Sequence, residues 1–231
     1  MRVLLLPLFL SLYTGCTNET PPTNADGGPQ VQVVPSKADA TRDRDRTQKP
    51  EIIIGMMGNG GDLTGFTIAD LFAEDGYFTF KMIAAGANVI AVVNDPLQAE
   101  QIKSRKKELG LGDDRLQVRL APVGDPGIAN AEVDMGLIAH HFVGIHDKAD
   151  YFKRMRQGMR DPRYLVMVEW RYEQTATGPP LSERISENDV MDFIGTTGYS
   201  DVGAHSAQIP DQVIYLINDY MEFPTEGTPQ E

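Results

Sequence analysis

The stretch IADLFAEDGYFT at residues 68–79 sets Asp70, Glu74 and Gly76 on what reads as a strand end, a turn and the start of a helix. Such a turn suits a nucleotide cofactor, because a helix N-terminus offers unpaired backbone N–H groups and partial positive charge to a polar ligand. Two positions where the turn would use glycine carry Phe72 and Glu74. Further along, His140, His141, His146 and Asp147 are ligand types that zinc accepts. Their spacing, H-H-x4-H-D, matches neither a helical nor a hairpin ligand pair, so no metal site is expected. His140 reads instead as a polar wall residue at a strand end. GNGGDLTG at 58–65 lacks the lysine and hydroxyl ending of a phosphate loop and precedes a strand, so it reads as a flexible loop. Ser182 and Ser186 lack the G-x-S-x-G elbow of hydrolases. Trp170 and Tyr172 alternate beyond a strand, the pattern of edge packing.

The elements that must position these residues follow from the apolar pattern. β-Branched runs at 67–72, 89–93, 115–120, 133–139, 164–170 and 212–217 predict strands. Helical stretches at 77–85, 96–109, 148–159 and 187–198 fall between them, the last with Ser186 as N-cap. Pro96 in a first turn and Gly110 beyond a last turn fit the asymmetry of helix ends. This alternation predicts an α/β fold, a mostly parallel sheet with helices on both faces, whose ligands bind at the carboxyl ends of the strands where strand order reverses. The 231 residues, 41% of them hydrophobic, suffice for one sizeable core with tails. With 33 acidic against 21 basic residues, the net charge of -12 argues against nucleic acid as a partner. The basic cluster at 103–107 is expected to be a solvated helix face.

The N-terminal MRVLLLPLFLSLYTGC has the layout of an export signal, with Arg2 ahead of an apolar run too short to span a bilayer. Its ending, Thr14-Gly15-Cys16, resembles the lipobox of bacterial lipoproteins, although Tyr13 stands where that motif usually has leucine. The resemblance implies acylation of Cys16, a membrane partner reached through that lipid, and a place in the cell envelope. Thr17 lacks the aspartate linked to inner-membrane retention, so the outer membrane, facing the periplasm, is the expected destination. Residues 1–16 are thus the expected signal, 17–50 a polar disordered tether, 51–222 the folded domain and 223–231 a loose tail.

The segment IADLFAEDGYFTFKMIAAGANVIAVVNDP, with the lysine-rich helix after it, resembles the first β-α-β unit of the Rossmann-like S-adenosylmethionine-dependent methyltransferases. Further pieces follow in order: DPGI at 125–128, AEVDMGLIAHHF at 131–142, YFKRMRQGMRDPRYLVMVEW at 151–170 and GPPLSERIS at 178–186. The resemblance covers residues 65–217 and implies that fold and, as cofactor, S-adenosylmethionine. Asp70, Glu74, Gly76 and Asp95 correspond to its cofactor loop and ribose-binding region, while His140 and Glu169 are candidates on the acceptor side. In the family the first strand ends in D-x-G-x-G-x-G. Here Phe72 and Glu74 replace two of the glycines, and Val93 stands where an acidic residue takes the ribose hydroxyls. Asp161-Pro162-Arg163 stands where paired glycines are common, and the paired histidines come three positions early. The expectation is a cofactor site that has lost its ligand turn, on a protein that binds or scaffolds. The alternative is an active methyltransferase with a remodelled loop.

Overall fold

The computed structural model describes residues 37–58 and 60–219, and of residues 37–40 the backbone only. The signal, Cys16, the first part of the expected tether and the tail at 223–231 lie outside the described residues. Residues Arg42–Glu231 cluster as one unit.

Two helices open the described chain, α1 (Lys37–Gln48) and α2 (Pro50–Met57). Residues 37–50 were expected to belong to the tether, because KADATRDRDRTQ carries no apolar stripe. The correction has a physical reason: α1 is built from helix-tolerant polar residues and is held by charged partners far away in sequence. There follow β1 (Thr67–Leu71), α3 (Tyr77–Ala84), β2 (Asn88–Val93), α4 (Pro96–Glu108), β3 (Leu116–Leu120) and β4 (Val133–Ala139). The chain then runs through α5 (Lys148–Gly158), β5 (Met159–Trp170), α6 (Glu187–Gly195), β6 (Asp201–His205) and β7 (Gln212–Asn218). Sequence periodicity finds β1 to β4, the second half of β5, β7 and the helices α3 to α6, but neither α1 nor α2. It misses β6, whose DVGAH is short and half-buried, and it begins β5 late, because Pro162 interrupts the run.

The strands form one seven-stranded sheet in the order β3-β2-β1-β4-β5-β7-β6, with β7 antiparallel to both its neighbours. Helices cover both faces. One core joins Ile53 of α2, Phe78 and Met82 of α3 and Ile102 of α4 to Val89 and Leu137 of the sheet. The other joins Tyr151, Phe152 and Met155 of α5 and Val190 and Ile194 of α6 to Ile90, Ile138 and Tyr215. The chain winds outward through β2 and β3, then returns to place β4 beside β1, with Ile68 paired to Met135. Strand order reverses at that β1–β4 seam, which makes its carboxyl end the natural ligand crevice. None of the described helices is long and apolar enough to cross a membrane.

Candidate functional site

The turn after β1 keeps the backbone of a glycine loop without its glycines. Phe72 (φ 64°), Glu74 (φ 50°) and Gly76 (φ 81°) all lie in the left-handed region. That region is free to glycine and costs a side chain bearing Cβ about 1 kcal/mol or more. At Gly76, the residue ahead of α3, a Cβ would also stand 2.8 Å from the Phe80 ring, so glycine is required there twice over. Side-chain contacts offset the strain at the other two positions. The Phe72 ring stacks between His141, at 5.0 Å, and Tyr151, at 5.6 Å. The Glu74 carboxylate lies 3.2 Å from Arg44 Nη2 and 3.2 Å from His141 Nε2, and these partners, His141 first, hold its pKa below the usual range.

Arg44 belongs to the later part of α1 and, with Gln48, lines the crevice. It donates to Asp75 Oδ1 at 2.9 Å and sits 4.0 Å above the Tyr77 ring. Next to it, Asp45 pairs with Lys81 Nζ at 2.8 Å and accepts from the Tyr77 hydroxyl at 2.7 Å. The Thr47 carbonyl accepts from Gln212 Nε2 at 2.8 Å, and Gln212 Oε1 in turn lies 3.1 Å from His140 Nε2. No local signal marks Arg44, Asp45 or Gln212 as site residues, since each finds its partner across the fold.

Three of the sequence-predicted residues, Asp70, Glu74 and His140, line one cleft of about 160 Å3 together with Arg44, His141 and Trp170. Asp70 is 3% exposed and accepts from Thr79 Oγ1 at 2.5 Å. Burial pushes its pKa up to about 7. His140, stacked on Trp170 at 4.6 Å, is held down at about 4 by burial. Phe72 also borders a second void of about 10 Å3, formed with Val93, Asn94 and Tyr151, so its ring partitions the crevice. Two predicted residues stand elsewhere. Asp95 caps α4, its Oδ1 accepting from Leu97 N at 2.8 Å, and borders neither void. Glu169 is 4% exposed beneath the loop after β4, accepting from Phe142 N at 2.8 Å. Burial raises its pKa to about 7. Among the described residues no group of three or more His, Cys, Asp or Glu is placed to hold a metal ion.

Asp161-Pro162-Arg163 is not a turn ahead of the fifth strand but part of β5 itself, with Arg163 paired to Asp219 Oδ2 at 2.6 Å. Trp170 and Tyr172 depart from simple edge packing: both border an open groove.

No protein-family model matches the chain, and no curated protein sequence does. Solved structures do. A S-adenosylmethionine-dependent methyltransferase from Aquifex aeolicus aligns at TM-score 0.68 and 16% identity, covering 80% of this chain and 100% of its own. Magnesium protoporphyrin IX methyltransferase from Synechocystis, solved with S-adenosylmethionine bound, aligns at TM-score 0.60 and 12% identity over 82% of this chain and 87% of that one. The 1,6-didemethyltoxoflavin-N1-methyltransferase of Burkholderia thailandensis, solved with S-adenosylhomocysteine, aligns at 0.57 and 14% over 79% and 81%. At these identities the likeness establishes the fold: this chain has the Rossmann-like architecture of class I methyltransferases.

Proposed function

We propose that this protein is an exported, membrane-tethered chain of methyltransferase fold that acts by binding rather than by methyl transfer. S-Adenosylmethionine, the ligand of its structural neighbours, is the cofactor to weigh first, and the residues present do not fit it. The observation that carries the reading is the Phe72 ring, stacked between His141 and Tyr151 where the crevice would have to be continuous. The cleft left on one side, about 160 Å3, falls below the roughly 300–1,000 Å3 of small-molecule sites. Glu74 is engaged by Arg44 and His141, and Asp95 by the N–H of Leu97. Val93, buried at the end of β2, has no side-chain acceptor for a ribose hydroxyl. The envelope assignment rests on the Thr14-Gly15-Cys16 ending and the apolar run before it.

A methyltransferase with a remodelled loop is the second reading. It is favoured by the left-handed backbone at residues 72, 74 and 76, which is the conformation a glycine turn adopts. In that case Asp70, Gly76 and Asp95 hold the cofactor, with His140 or Glu169 toward the acceptor. Calorimetric titration of the full chain with S-adenosylmethionine separates the two. The binding reading expects no heat of association up to millimolar ligand; a micromolar Kd would overturn it.

A further inference from the structure

Trp170 also borders a second, larger groove of about 460 Å3. It runs between the end of β5, the first turn of α6 and β7, and its size is that of a small-molecule site. Its floor includes Tyr215, 1% exposed. The Tyr215 hydroxyl has no hydrogen-bond partner among the described residues, yet it is not shut away from solvent, so it opens onto the groove. A phenol at the floor of a cavity with no protein partner is free to bond a ligand hydroxyl that displaces its water.

The walls select the ligand's chemistry. Trp170, Tyr172 and Asn188 add an indole, a second phenol and an amide with no side-chain partner among the described residues. Tyr172 is 56% exposed. The charged lining does not favour an anion: Arg171 Nη1 is taken by Glu173 at 3.2 Å and Nη2 by the Ser206 carbonyl, its Nε is buried, and Glu187 stands without an ion pair among the described residues. A purely apolar ligand would leave the hydroxyls and the amide dry and unpaired. Groups that both donate and accept, set among aromatic faces, match a molecule whose hydroxyls do the same around apolar C–H faces. We infer that the groove beside α6 is a binding site for a neutral carbohydrate, with Tyr215 and Asn188 bonding sugar hydroxyls and Tyr172 packing a ring face. This rests on the reading of the protein as a binder and supplies its ligand class.

Trp170 is the single tryptophan of the chain and lines both the groove and the cleft, so its emission reports binding at either and the Tyr215 and Tyr172 variants assign a response to the groove. The full chain is titrated with maltotriose and with the N-acetylglucosamine trimer, with choline as cationic probe and S-adenosylmethionine as probe of the cleft. At least one sugar is expected to shift the emission saturably. Tyr215→Phe, which removes one hydroxyl and keeps the ring, is expected to weaken that binding about tenfold. Tyr172→Ala, at an exposed position that the fold does not need, is expected to weaken it at least as much. No response to either sugar, undiminished affinity in both variants, or a response to choline alone overturns the inference. If S-adenosylmethionine binds at micromolar concentration, the binder reading falls with it; if that ligand is silent and the sugars are too, only the carbohydrate assignment falls.

Discussion

Glu169 is legible by its place at a strand end, but the partner its carboxylate takes is not. A glutamate at a strand end reads as an acid or base facing a substrate, but the side chain turns under the next loop to accept the Phe142 N–H at 2.8 Å. Its raised pKa, about 7, has a consequence for stability. The unfolded chain ionises near 4.3, so between pH 4 and 7 the native state holds a proton that the unfolded state has lost, and stability falls as pH rises through that window. His140, held down at about 4, works in the opposite sense, which is why the comparison must be made against a variant. Glu169→Gln keeps the acceptor and removes the charge. It is expected to be more stable than the wild type by on the order of 1–3 kcal/mol at pH 8, with the gap closing below pH 4; equal denaturant midpoints at both pH values would refute the burial argument. Phe72 and Glu74 carry the second prediction. Glycine at both, with Val93→Asp, is expected to raise affinity for S-adenosylmethionine measurably. The two glycines relieve about 1 kcal/mol of left-handed strain each, while loss of the Phe72 ring costs up to about 3–5 kcal/mol, the range for a phenylalanine in a core. The triple variant is therefore expected to melt lower than the wild type. An unchanged affinity would mean that these three positions are not what limits binding.

Most elements were legible because their apolar period states which face is buried. The central strand β2 is a nearly continuous apolar run, NVIAVV, and Ser186 caps α6 as its position predicts, accepting from Asp189 N. α1 was illegible for a physical reason. Its residues bury no apolar stripe, and what fixes it is a set of charge contacts to Glu74, Asp75, Lys81 and Tyr77, each about thirty residues or more away. The two histidines were visible in sequence, but the stacking of one on Phe72 and the other on Trp170 was not, because stacking partners share no local period. The nature of the contacts that hold α1 leads to a third prediction. Partly exposed ion pairs contribute about 1 kcal/mol or less and are screened by salt. Amides of residues 42–48 are therefore expected to exchange faster in 0.5 M salt, or in Arg44→Ala, while those of β1 and β4 keep their protection. Exchange of α1 and the central strands in step would show that α1 is part of the cooperative core.

The molecule as a whole is an acidic α/β domain whose expected anchor is the Cys16 thiol. Cys16→Ser is expected to move the protein from the membrane fraction to the soluble fraction of a bacterial host; equal membrane association of both forms would end the proposal of acylation. The sheet order also sets the sequence of events in folding. β1 and β2 are joined by one short helical crossover, whereas the pairing of Ile68 with Met135 must wait until the chain has gone out through β2 and β3 and come back. Closing the longer loop costs more chain entropy, and non-local pairings of this kind are made late. The crevice lies on that seam, so it does not exist until β4 has paired with β1. A nascent chain halted before residue 133 carries the whole turn from Asp70 to Gly76 and no cavity for it to line.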